Sequence, residues 1–120
     1  MKVTEPALLI RVNQLYRPTM SAMELYDATR GVWKVGARRE LAKYALAVFE
    51  GIVLEVYEIV SWHPAGSTFT SRDREDVSAP GRWEFVGRLA PERLRRKYID
   101  RDVGSYFPPG AQNPIAYVNI

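Results

Sequence analysis

The chain has no cysteine, so disulfides, thiolate nucleophiles and sulfur-ligated zinc are all excluded. Histidine is nearly as scarce. His63 stands alone, which excludes a multi-histidine metal site and paired-histidine catalysis. No apolar run approaches the ~18 residues of a membrane-spanning helix. Met1-Lys2-Val3-Thr4-Glu5-Pro6 lacks the apolar stretch and small-residue cleavage site of a signal peptide. A cytoplasmic location without a membrane partner is expected. Lysine is sparse too: 4 of the 17 basic residues are Lys and the rest are Arg. Acidic residues number 14, for a net charge of +3, and no basic tail or arm exists. Any charged surface must therefore be assembled by folding.

What is present suits one globular domain. The 120 residues are 47% hydrophobic and 26% charged, enough to enclose a core without covalent staples. Arginine carries a planar fork that matches phosphates and base edges and stacks on rings. Its excess fits nucleic-acid binding, although GC-rich codon usage yields the same bias with no function attached.

The run Leu8-Leu9-Ile10-Arg11-Val12 reads as a first strand. Ser21 with Glu24 forms a capping box, so a helix is expected from about Ala22 to Thr29, stopped by Gly31. Its apolar side should hold Ala22, Leu25, Tyr26 and Ala28. Gly31-Val32-Trp33-Lys34-Val35-Gly36 is a short extended piece, followed by a turn over Ala37 to Ala42. Two apolar runs, 44–49 and 52–60, meet at Glu50-Gly51 and predict a β-hairpin. Both faces of these strands are apolar, the pattern of strands covered on both sides. His63 to Arg82 reads as a long loop with the charged run Arg72-Asp73-Arg74-Glu75-Asp76. A strand follows at 83–89, with Trp83, Phe85 and Leu89 inward. Pro91 then opens a helix whose Leu94 and Tyr98 should face the core. Val103, Tyr106 and Phe107 suggest another short helix, and Ile115 to Val118 a last strand.

That order excludes a doubly wound sheet, which needs more crossover helices. The expected class is α+β: a small curled mixed sheet or open barrel of about five or six strands, with two or three short peripheral helices.

Seven residues are candidate ligand contacts. Trp33 and Trp62 lie near predicted strand ends, where an exposed indole can stack a base, although tryptophan is more often core. His63 lies beside Trp62 as a rim residue or as a strand cap. Arg38 and Arg39 suit phosphate clamping, or a solvated pair salt-bridged to Glu40. Gln112 and Asn113 carry amides that can read a base edge, or else start the turn before Pro114. The sequence points to no cofactor and no metal. No phosphate loop or nucleophile elbow occurs.

The helix 21–29, the Gly31-Val32-Trp33 step and the 44–60 hairpin together resemble the PUA-like small barrels of the EVE, ASCH and YTH type. That resemblance implies a curled mixed sheet with rim helices and binding of RNA or a modified base in an aromatic pocket, with Trp33 as a pocket wall. The leading expectation is a non-catalytic module for RNA or DNA, single-stranded or carrying a modified base. Alternatives are a protein-interaction or homodimeric subunit, and a small hydrolase or nuclease pairing His63 with acids of the 73–76 loop.

Overall fold

The computed structural model describes residues 1–73 and 77–120. Arg74, Glu75 and Asp76 of the expected charged run lie outside the described residues. Strand β1 is Ala7–Arg11 and helix α1 is Ala22–Arg30. A 3-10 turn at Ala37–Leu41 leads into β2, Tyr44–Phe49, and β3, Ile52–Pro64. Strand β4 is Trp83–Leu89, helix α2 is Glu92–Tyr98, and β5, Ile115–Val118, completes the sheet.

Local chemistry sets these boundaries. Ser21 Oγ accepts from the Glu24 amide at 3.1 Å, and the Ser21 amide donates to Glu24 Oε1 at 3.1 Å, closing the capping box of α1. Glu50 and Gly51 both adopt positive φ, 49° and 82°, the requirement of a tight hairpin turn between β2 and β3. Gly87 faces the register irregularity between Ile59 and Ser61. A Cβ there would sit 2.4 Å from the Glu58 carbonyl oxygen, so β3 and β4 approach each other closely only because this position is glycine.

The sheet order is β4-β3-β2-β1-β5. β1 and β2 run parallel, joined by a crossover that contains α1, and the other pairs are antiparallel. This is an α+β domain with an open five-stranded mixed sheet and two short helices among the described residues. The expected curled sheet or barrel is corrected: β4 and β5 end the sheet as separate edges and do not pair. Trp33 instead meets the start of β4, donating to the Trp83 carbonyl at 3.0 Å and accepting in return at 2.9 Å.

Both faces of the sheet are covered. Leu8, Ile10, Ala45, Tyr57 and Phe85 pack with Trp33 and with Leu25 and Tyr26 of α1. Leu9, Leu46, Val53 and Val56 face the other way, against Leu94 and Tyr98 of α2. Fully burying a side chain such as Leu8, Leu9 or Phe85 contributes about 1.5–3 kcal/mol each.

Four local expectations need correction. β3 extends through Trp62 and His63 to Pro64, because Ser61–Pro64 pair with Val86–Trp83, so the connection between the strands is 65–82. In α1, Ala22 is exposed while Asp27, Thr29 and Arg30 are buried, because the end of the helix rather than its length packs inward. Leu89 is exposed and Glu84 is buried, opposite to the alternation read from β4. The segment after Val103 forms only a 3-10 turn, Gly104–Tyr106.

Candidate functional site

Antiparallel pairing of β1 with β5 sets Ile10 beside Ile115. The chain leaving β1 at Arg11 and the chain entering β5 from Gln112 are therefore neighbours. The Val32–Lys34 segment and, from the 65–82 connection, Arg72 and Arg82 approach the same place. Together they line a cleft of about 690 Å³, within the size range of small-molecule sites.

The lining has a one-sided chemistry. Four cations reach it: Arg11, Lys34, Arg72 and Arg82. Four amide side chains join them, from Asn13, Gln14, Gln112 and Asn113. Trp33, with Val32, Leu15 and Ile115, supplies apolar wall. No carboxylate occurs among the described residues that line it.

The walls are held by internal hydrogen bonds. Trp33 is 9% exposed, and its indole Nε1 donates to the Thr29 carbonyl at 2.6 Å, which fixes the ring against the end of α1. Arg11 Nη2 donates to the carbonyls of Ala111 and Asn113, both at 2.8 Å, and its guanidinium lies 4.6 Å from the Phe107 ring. Arg11 thus shapes the turn that presents Gln112 and Asn113. Arg72 Nη1 donates to the Gly31 carbonyl at 2.8 Å. Lys34 and Arg82 are exposed and have no ion-pair partner among the described residues.

Arg72 and Arg82 belong to the long connection, whose first part, residues 66–71, is pinned by a buried ionic knot. Asp27, Arg30 and Glu84 are each no more than 3% exposed. Arg30 lies 3.7 Å from Asp27 and 3.6 Å from Glu84. It donates to the Phe85 and Phe69 carbonyls, both at 2.8 Å, and to the Thr68 hydroxyl. Glu84 accepts the Gly66 amide at 2.6 Å, the Thr68 amide at 2.9 Å and the Thr68 hydroxyl. Asp27 accepts the Ser71 amide at 2.9 Å and its hydroxyl. Burial pushes the Glu84 carboxyl up, but hydrogen bonds from Thr68 and Gly66 and the charge of Arg30 outweigh it and hold it below its ordinary value.

The structure brings Trp33, Gln112 and Asn113 together in the cleft and leaves the other four expected residues elsewhere. Arg38 stacks 4.4 Å from the Tyr117 ring and donates to the Ile120 carbonyl at 2.9 Å. Arg39 lies 3.6 Å over Trp83 and 3.1 Å from Glu40, the pairing considered for it. Trp62 donates from Nε1 to the Arg39 carbonyl at 3.1 Å and packs on Phe85. His63 Nε2 lies 2.8 Å from Ser61 Oγ, outside the cleft lining. His63 meets no carboxylate among the described residues. Glu75 and Asp76, two of the acids considered with it, lie outside the described residues.

The sequence reading missed Arg11, Lys34, Arg72 and Arg82 as a set. One signal was present: Arg11 interrupts an apolar strand, and a cation there needs a partner at the strand end. Glu84, set between Trp83 and Phe85, is the same kind of signal for the knot. Among the described residues no group of three or more acidic or histidine side chains could hold a metal, and no helix is long and apolar enough to cross a membrane. The chain was compared with family models, with curated proteins and with solved structures, and none matches.

Proposed function

We propose that the protein is a non-catalytic nucleic-acid or nucleotide-binding module and that the cleft beside Trp33 is its ligand site. One observation carries this reading: an indole wall and four cations share a cleft whose described lining has no carboxylate. An anion with a flat ring satisfies both features, since phosphate takes the cations and the base takes the indole. Binding is favoured over catalysis because the lining offers hydrogen-bond donors and fixed charge. His63, the one histidine of the chain, is not part of it.

The test is a titration of the intact chain at low salt with single-stranded, double-stranded and base-modified oligonucleotides. Affinity should fall as salt rises, with a slope near −0.7 to −0.9 for each phosphate contacted. Trp33→Ala should weaken binding about tenfold or more through lost stacking. Arg82→Ala, at an exposed position, checks the same site without disturbing the core. Absence of binding, or binding unchanged in both variants, would overturn the proposal.

A further inference from the structure

The orientation of two amides in the cleft bears on which base it takes, and this rests on the nucleotide reading above. A backbone N–H can only donate, so the side-chain atom it meets must be an acceptor. The Glu50 amide donates to Asn13 Oδ1 at 3.0 Å, and the Ile115 amide donates to Asn113 Oδ1 at 3.0 Å. Both oxygens are thereby turned back to the chain. Both residues line the cleft, and in each the Nδ2 donor is the end without a partner among the described residues. Arg72 and Arg82 add donors only. Arg72 spends one nitrogen on Gly31, which fixes its fork, and its remaining guanidinium N–H groups have no partner among the described residues. Gln14 and Gln112 can turn either end inward, so they follow the ligand and do not set its identity.

We infer that the cleft selects a 6-oxopurine nucleotide, one bearing guanine or hypoxanthine, over adenine and cytosine nucleotides. The O6 and N7 atoms of a 6-oxopurine are two adjacent acceptors, the pair an arginine fork meets in bidentate fashion. Adenine puts an N6 amino donor at that edge, and cytosine an N4 donor, where each opposes a donor of the lining. A donor facing a donor in a semi-enclosed cleft loses its water without gaining a partner, which is how a site rejects a near-isostere.

The experiment titrates the intact chain with GMP, IMP, AMP and CMP by calorimetry. A second arm uses oligouridylate carrying one central G or one central A. GMP and IMP should bind about tenfold more tightly than AMP and CMP. Preference for G in the oligonucleotide arm alone also supports the inference and identifies a base within a strand as the source. Asn113→Asp keeps an oxygen for the Ile115 amide but exchanges the free donor for an acceptor, so the ratio of GMP to AMP affinity should fall towards one. Equal affinity for all bases in both arms, or a ratio untouched by Asn113→Asp, would overturn the inference while the nucleotide reading stands. No binding of any nucleotide or oligonucleotide would overturn both.

Discussion

Arg30 and Arg72 tie the same two stretches of chain together, each reaching from one to the other. Arg30 reaches out of α1 to the Phe69 carbonyl in the long connection, and Arg72 reaches out of that connection to the carbonyl of Gly31, next to Arg30. Around Arg30 every described charged group has partners: two carboxylates, two carbonyls and a hydroxyl surround one buried guanidinium. Around the cleft that Arg72 lines, the other charged side chains among the described residues are all cations, Arg11, Lys34 and Arg82. The contrast separates two uses of arginine. A guanidinium removed from water must be paired, and pairing fixes the chain around it. A group of cations left at the surface repel one another and remain available to an anion. The first arrangement holds the second in place, because Ser71, gripped by the knot along with Thr68, immediately precedes Arg72.

The largest effect should come from breaking the knot. Arg30→Ala leaves Asp27 and Glu84 buried without a counter-charge and should cost about 3–5 kcal/mol of stability. Urea unfolding reads this directly, and a loss below about 1 kcal/mol would show that the knot does not organise the connection. A smaller effect, and of a different kind, is expected in the cleft. Lys34→Ala combined with Arg82→Ala should weaken oligonucleotide binding about tenfold and flatten its salt dependence by about one unit for each phosphate left without its cation. Stability should stay within about 0.5 kcal/mol, as for exposed positions generally. If the double variant unfolds as readily as Arg30→Ala, the division between the two regions fails.

The smallest effect is in acid. The Glu84 carboxyl is held below its ordinary value of 4.5 when the protein is folded, so the unfolded chain binds its proton more readily. Its contribution is therefore present above about pH 4.5 and is lost as the pH falls through the lower folded value. Unfolding free energies measured from neutral pH down to pH ~3 should show this decline, and Glu84→Gln should show less of it. An identical acid profile in wild type and Glu84→Gln would remove the knot from the account.

Much of the fold was legible because its signals are local. Ser21 and Glu24 sit three residues apart and cap the helix they predict. Glu50-Gly51 marks its own turn, and the doubly apolar strands on either side are covered on both faces. Leu94 and Tyr98 point inward at helical spacing. The end of β3 was misread because Trp62, His63 and Pro64 are strand only by virtue of pairing with residues beyond the connection. The site was legible in part for the same reason. Trp33 and the Gln112-Asn113 turn announce themselves in sequence. Arg11, Lys34, Arg72 and Arg82 acquire a common address only through the β1–β5 pairing and the grip on Thr68 and Ser71. Arg38 and Arg39 looked more promising because they adjoin, yet each is occupied by an aromatic ring.

The seating of the 65–73 segment also bears on kinetics. With Gly66, Thr68, Phe69 and Ser71 already hydrogen-bonded to the body of the protein, that segment arrives ordered. A visiting molecule meets Arg72 at the end of a segment already in place, so none of its interaction free energy is diverted into arranging residues 66–71. Capture should then follow a single exponential whose rate climbs linearly with ligand concentration, without the plateau that a slow closing step imposes.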